Sequence, residues 1–99
     1  MSKMVRTAAV DDLCKAILSL KDEDEVYRFF QDVCTVNELM SLSQRFAVAR
    51  MLTQKKTYLE IAQETGASTA TISRVNRALV YGSDGYQLAL DRIGQESSS

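Results

Sequence analysis

Residues 57–81 read TYLEIAQETGASTATISRVNRALVY, two helical periods separated by a single glycine. Few arrangements of a short chain can accommodate them. Thr57 and Glu60 have the spacing of a capping box, in which the hydroxyl accepts from an orphan amide and the carboxylate reaches back. A helix is therefore predicted over Tyr58–Thr65, with Ile61 and Ala62 turned inward. Gly66 ends it, because glycine accepts the positive φ that a helix C-terminus commonly needs. Ser68 caps a second helix over Thr69–Val80, whose inward positions are Ile72, Val75 and Leu79. The small side chain at Ala62 lets the second helix cross closely over the first. The opposite face of the second helix carries Ala70, Ser73, Arg74 and Arg77: small where it starts, cationic where it continues.

Such a face suits the floor of a DNA major groove, which admits a helix and rewards short polar groups and guanidinium forks. The pattern of apolar 61, alanine 62, glycine 66 and apolar 72 and 75 reads as a helix-turn-helix over about 58–80. Ser68, Thr69 and Thr71 would anchor phosphates through hydroxyls and free helix amides. Ala70, Ser73 and Arg77 would face base edges, with Arg77 forking onto a guanine. Arg74 would serve a phosphate or an effector. Lys55, Lys56 and Thr57, immediately before the first motif helix, would add phosphate contacts, and the two lysines also suit the negative end of the preceding helix dipole. The plainer reading is that these groups only solvate an exposed helix face.

Charge favours the first reading once it is divided along the chain. The net charge is −1. Residues 1–38 set five cations against eight acids and 83–99 one against three, whereas 39–82 set six against only Glu60 and Glu64. The positive potential is concentrated where the motif lies, as phosphates require. The second reading, a helix-turn-helix that holds another protein without touching DNA, fits this segment poorly, since protein-binding faces favour exposed aromatics over charge. The sequence has no histidine, no paired carboxylates in a cleft and no phosphate-cradling glycine loop, so an enzyme is not expected. Neither a metal nor a cofactor is called for. Two cysteines without histidine do not make a zinc site, and Cys14 and Cys34 read as buried, inert thiols on apolar faces.

Ninety-nine residues with no proline and four glycines favour an all-α domain near the small end of what folds unaided. No stretch approaches a membrane span and Met1–Val10 lacks a signal-peptide core, so the expected location is cytoplasmic. Helices are predicted over Ala8–Leu20 (stripe Val10, Leu13, Cys14, Ile17, Leu18), Glu23–Cys34 (Val26, Phe29, Phe30, Val33) and Val36–Gln54 (Leu39, Leu42, Phe46, Ala49, Leu52, broadened by Met40, Val48 and Met51). Asp22/Glu25 and Thr35/Glu38 offer further caps. A turn at Tyr81–Tyr86, with Asp84 as a cap, leads to a last helix over Tyr86–Ile93. The expected organisation is one domain over 8–93 with flexible ends at 1–7 and 94–99. Its surplus apolar surface calls for a twofold dimer, which would place two recognition helices one DNA turn apart on a palindromic operator; the alternative is a monomer with a three-helix core plus appendages.

Taken together, Thr35–Glu38, Leu42–Leu52, Gly66-Ala67, Ala70-Thr71-Ile72-Ser73-Arg74, Asn76 and the Tyr81–Tyr86 turn resemble the Trp repressor-like superfamily, and within it the YerC/YecD-type branch. The resemblance implies a six-helix subunit, an intertwined homodimer and a repressor-type helix-turn-helix. It further implies an effector held between the long central helix and the recognition helix by an arginine from each. Arg74 stands at one of these positions and Arg45 looks like the other, with Gln44 as the one-residue alternative. Where tryptophan-sensing members have a glycine beside the indole and a serine near the amino group, this chain has Val75 and Ala78. A branched side chain there overlaps a flat ring, so an effector other than tryptophan is expected, or none, with Arg45 then serving as a structural ion-pair partner.

Overall fold

The structure, a computed structural model, describes residues 6–97, with side chains through Gly94. Six helices follow in order: α1 (Ala8–Leu18), α2 (Glu23–Val33), α3 (Val36–Thr53), α4 (Tyr58–Thr65), α5 (Thr69–Tyr81) and α6 (Gly85–Ser97). There is no strand among the described residues. The fold is the all-α, six-helix arrangement expected. Of the ends expected to be flexible, 1–5 and 98–99 lie outside the described residues. Thr7 is ordered as the N-cap of α1, its hydroxyl accepting from Val10 N–H. At the other end, α6 does not stop at Ile93 but continues to Ser97. Gly94 lacks the positive φ that would close the helix, and no proline follows to break it.

The chain divides into two compact units, one through Met40 and one from Ser41 onward. The second holds the buried core. Val48, Ala49 and Met51 of α3 meet Ile61 of α4, Ala67 of the turn, and Ile72 and Val75 of α5. Leu52, Ala62, Leu79, Tyr86 and Leu90 close around them. Phe46 and Tyr86 bring α3 and α6 together at 6.3 Å between ring centroids, within the range for productive aromatic pairs.

In the first unit neither α1 nor α2 holds a fully buried side chain. The apolar stripe of α1 is present, but Leu13, Ile17 and Leu18 are exposed, Leu18 to 84%. Val33, expected inside, is 54% exposed, and Cys14, expected to be buried, is exposed while Cys34 is half-buried. On α3, Met40 and Leu42 are exposed too. The periodicity is correct for these residues, and it does not by itself bury them.

The ends of the helices follow local chemistry closely. Thr35 and Glu38 close a reciprocal box at the start of α3. At α2, Asp22 accepts from Glu25 N–H, but Glu25 reaches past the cap to Lys21 N–H. The α5–α6 turn depends on Gly82, where an added Cβ would lie 2.3 Å from the Ala78 carbonyl oxygen. Asp84 adopts φ +64°, a conformation its short polar side chain tolerates. It opens α6 with its carbonyl, which accepts from Leu88 N–H, rather than with its carboxylate.

Gly82→Ala is expected to lower stability by about 1–3 kcal/mol because backbone must move. Gly85→Ala, whose Cβ would meet nothing within 4 Å, should be neutral or gain up to about 1 kcal/mol through the unfolded chain. Urea midpoints at equal protein concentration check both, and equal losses at the two positions would overturn the account.

Candidate nucleic-acid interface

The Thr57 box forms as its sequence dictates: Thr57 Oγ1 accepts from Glu60 N–H at 3.1 Å and Glu60 Oε1 accepts from Thr57 N–H at 2.8 Å. The Thr57 amide foremost, then the Thr57 hydroxyl and the nearby Lys56 charge, hold the Glu60 carboxyl below its ordinary pKa. After the eight residues of α4 the chain must turn sharply. Gly66 takes φ +73° there and donates to Ala62 O at 2.9 Å.

The turn is held by more than its glycine. Thr65 Oγ1 donates to Ile61 O at 2.7 Å and accepts from Ala67 N–H at 3.1 Å. Gln44 Nε2, on α3, donates to Thr65 O at 3.1 Å. With Ala67 buried beside them, these bonds set the direction in which α5 departs. Thr65 and Gln44 were not picked out for this role from the sequence. A threonine in the last helical turn often bonds back four residues, which is a usable signal; nothing local announces a glutamine 21 residues away.

α5 then separates its faces cleanly. Ile72 and Val75 are buried, Val75 to 2%, and Leu79 is half-buried against them. Ala70, Ser73, Arg74 and Arg77 are all exposed, as are Ser68 and Thr69. Neither Arg74 nor Arg77 enters an ion pair among the described residues. Ser68 Oγ accepts from Thr71 N–H and donates to Thr71 Oγ1, both at 3.1 Å. Ser68 is thus committed to capping. The Thr71 hydroxyl, half-buried and already accepting, retains its own proton to donate outward.

The two lysines before α4 differ. Lys55 is exposed and sits at φ +66°, the left-handed position of a Schellman closure: Lys56 N–H donates to Met51 O and Lys55 N–H to Leu52 O, each at 3.1 Å. Lys56 is half-buried and its Nζ lies 4.0 Å from Glu64 Oε1. Arg45 is half-buried and enters no ion pair among the described residues. Gln44, the alternative at that position, is spent on the turn.

No helix among the described residues is long and apolar enough to cross a membrane. Residues 8–94 match the family model described as Trp repressor protein. The uncharacterized protein YerC of Bacillus subtilis (strain 168) is 58% identical over 98 residues, covering 96% of this chain and 94% of its own length. A TrpR-like protein from Eubacterium eligens ATCC 27750, known from its crystal structure, is 65% identical with a TM-score of 0.87, over 90% of this chain and 92% of that one.

The depressed Glu60 carboxyl has a pH consequence. A carboxylate favoured by the fold contributes its stabilisation above the unfolded pKa and loses it as pH falls through the lower folded value. On acidification the Thr57 amide resonance should therefore hold its position past the ordinary glutamate value of about 4.3 and move only below it. A midpoint at or above that value in an NMR titration would contradict the box.

Proposed function

The chain belongs to the Trp repressor protein family, and we propose that it is a sequence-specific, DNA-binding transcriptional regulator of the repressor type that lays α5 in the major groove. The family is one of regulators, not enzymes. The observation that carries the proposal is the exposed ridge Ala70–Ser73–Arg74–Arg77, backed by the buried Ile72 and Val75. A helix anchored in that way holds the ridge in register with a groove, so that only its side chains have to order on binding.

In this reading Ala70, Ser73 and Arg77 face bases, and Thr69 and Thr71 reach phosphates with the first amides of α5, where helix polarity favours an anion. Lys55, Lys56 and Thr57 meet the neighbouring backbone, and Ser68 acts by fixing the start of α5. Residues 8–93 work as one domain. A second copy covers the apolar faces of α1 and α2 and Val33, Val36 and Met40, which one chain leaves in water. Burial of such surface stabilises by about 25 cal/mol per Å². The resulting homodimer presents two α5 helices to a palindromic operator. A small effector other than tryptophan would be read by Arg45 and Arg74, Val75 being packed into the core where a ring would need space. The proposal includes no membrane partner.

A second reading, a helix-turn-helix that binds another protein and no DNA, draws on Leu59, Val80 and Tyr81, all exposed on α4 and α5. The two separate by salt. Binding through phosphates weakens steeply as salt rises, and binding through those apolar groups does not.

Duplexes selected from random DNA supply the test. Arg77→Ala should weaken binding to the selected duplex by about 1–3 kcal/mol and relax preference at one base position, while Arg74→Ala should weaken binding with the preference unchanged if it serves the backbone. Gel-shift competition against scrambled duplex at fixed salt reads both, and an Arg77→Ala protein with wild-type affinity and preference would overturn the groove assignment. For the dimer, Leu18→Asp leaves the interior of one chain untouched, so sedimentation should show monomer in place of dimer; an unchanged dimer would place the interface elsewhere.

A further inference from the structure

The turn between α3 and α4 delivers two lysines to the cationic segment, and only one of them is uncommitted. Lys55 enters no ion pair among the described residues, whereas Lys56 Nζ stands 4.0 Å from Glu64 Oε1. Glu60 and Glu64 are the only acids between residues 39 and 82. Glu60 is occupied by the Thr57 box, its Oε1 accepting from Thr57 N–H at 2.8 Å. Glu64 is therefore the acid left to neutralise a cation of the motif. Both side chains of the pair keep solvent access, 37% for Lys56 and 59% for Glu64, so a phosphate can compete for the same ammonium.

We propose that Glu64 is an intramolecular competitor of DNA phosphate for Lys56, a residue that weakens the grip on every duplex irrespective of sequence. The inference rests on the DNA-binding reading above and deepens it. A lysine already neutralised within the protein replaces no counterion on the duplex until its partner is displaced, so it adds little to the salt dependence of binding. A carboxylate left beside the phosphates opposes the complex as well. The effect is sequence-independent because both partners of the competition are backbone-directed.

The test is a titration of the full chain against a selected duplex and a random-sequence duplex over a range of sodium chloride concentrations. Four proteins are compared: wild type, Glu64→Gln, Lys56→Gln and the double variant, each checked for unchanged helicity and melting. Glu64→Gln should bind both duplexes about two- to fivefold more tightly, the range open to an exposed ion pair. Its plot of log affinity against log salt should steepen by about 0.9. In the Lys56→Gln background the same change should lose most of its effect, because the coupling passes through that ammonium. Glu64→Gln matching wild type at every salt concentration would overturn the proposal, as would a gain that survives in full without Lys56. Wild type failing to bind either duplex would instead overturn the DNA-binding reading, and this inference with it.

Discussion

The direction of α5 rests on the turn at residues 65–68, which is held at several points. Gly66 supplies a backbone conformation that a side chain would strain. Thr65 uses its hydroxyl twice, its carbonyl is taken by Gln44, and Ala67 is buried beneath. Each bond is ordinary, worth about 1 kcal/mol net. Their joint effect is geometric: α4 and α5 leave the turn at a fixed angle, and Ile61, Ile72 and Val75 can then share one core. Everything exposed on α5 takes its position from that arrangement.

The second unit has a core of its own, and α1 and α2 of the first hold no fully buried side chain. Val48, Ala49, Ile61, Ile72 and Val75 satisfy each other within the chain. Leu13, Ile17, Leu18 and Val33 do not. The buried interior is concentrated around α5, and the N-terminal helices keep apolar side chains exposed. In the proposed dimer, stability of the first unit is tied to protein concentration, as it is for any fold completed by a partner.

Most of the helical framework was legible because it is written locally. Periodicity located all six helices, and the boxes at Thr35 and Thr57, the cap at Ser68 and the stop at Gly66 formed as their residue types require. The α5 faces were equally readable, since 3.6-residue spacing divides Ile72 and Val75 from Ser73, Arg74 and Arg77 without outside help. What escaped depends on residues far apart or on a second chain. Gln44 and Thr65 meet across 21 positions. Burial of Leu18, Val33 and Cys14 was inferred from their stripes, yet a stripe states only that a partner is needed, not that the same chain supplies it. The continuation of α6 to Ser97 escaped for a simpler reason: a polar sequence was taken for an end when nothing in it stops a helix.

Lys55 stands where a helix terminus ordinarily recruits glycine. A side chain in that conformation costs about 1–2 kcal/mol, and the cost is borne at the doorway to the recognition motif. Variants chosen for heat resistance alone would drift toward glycine there and discharge the doorway in the process. On the DNA-binding reading, endurance and grip are set against one another at a single residue.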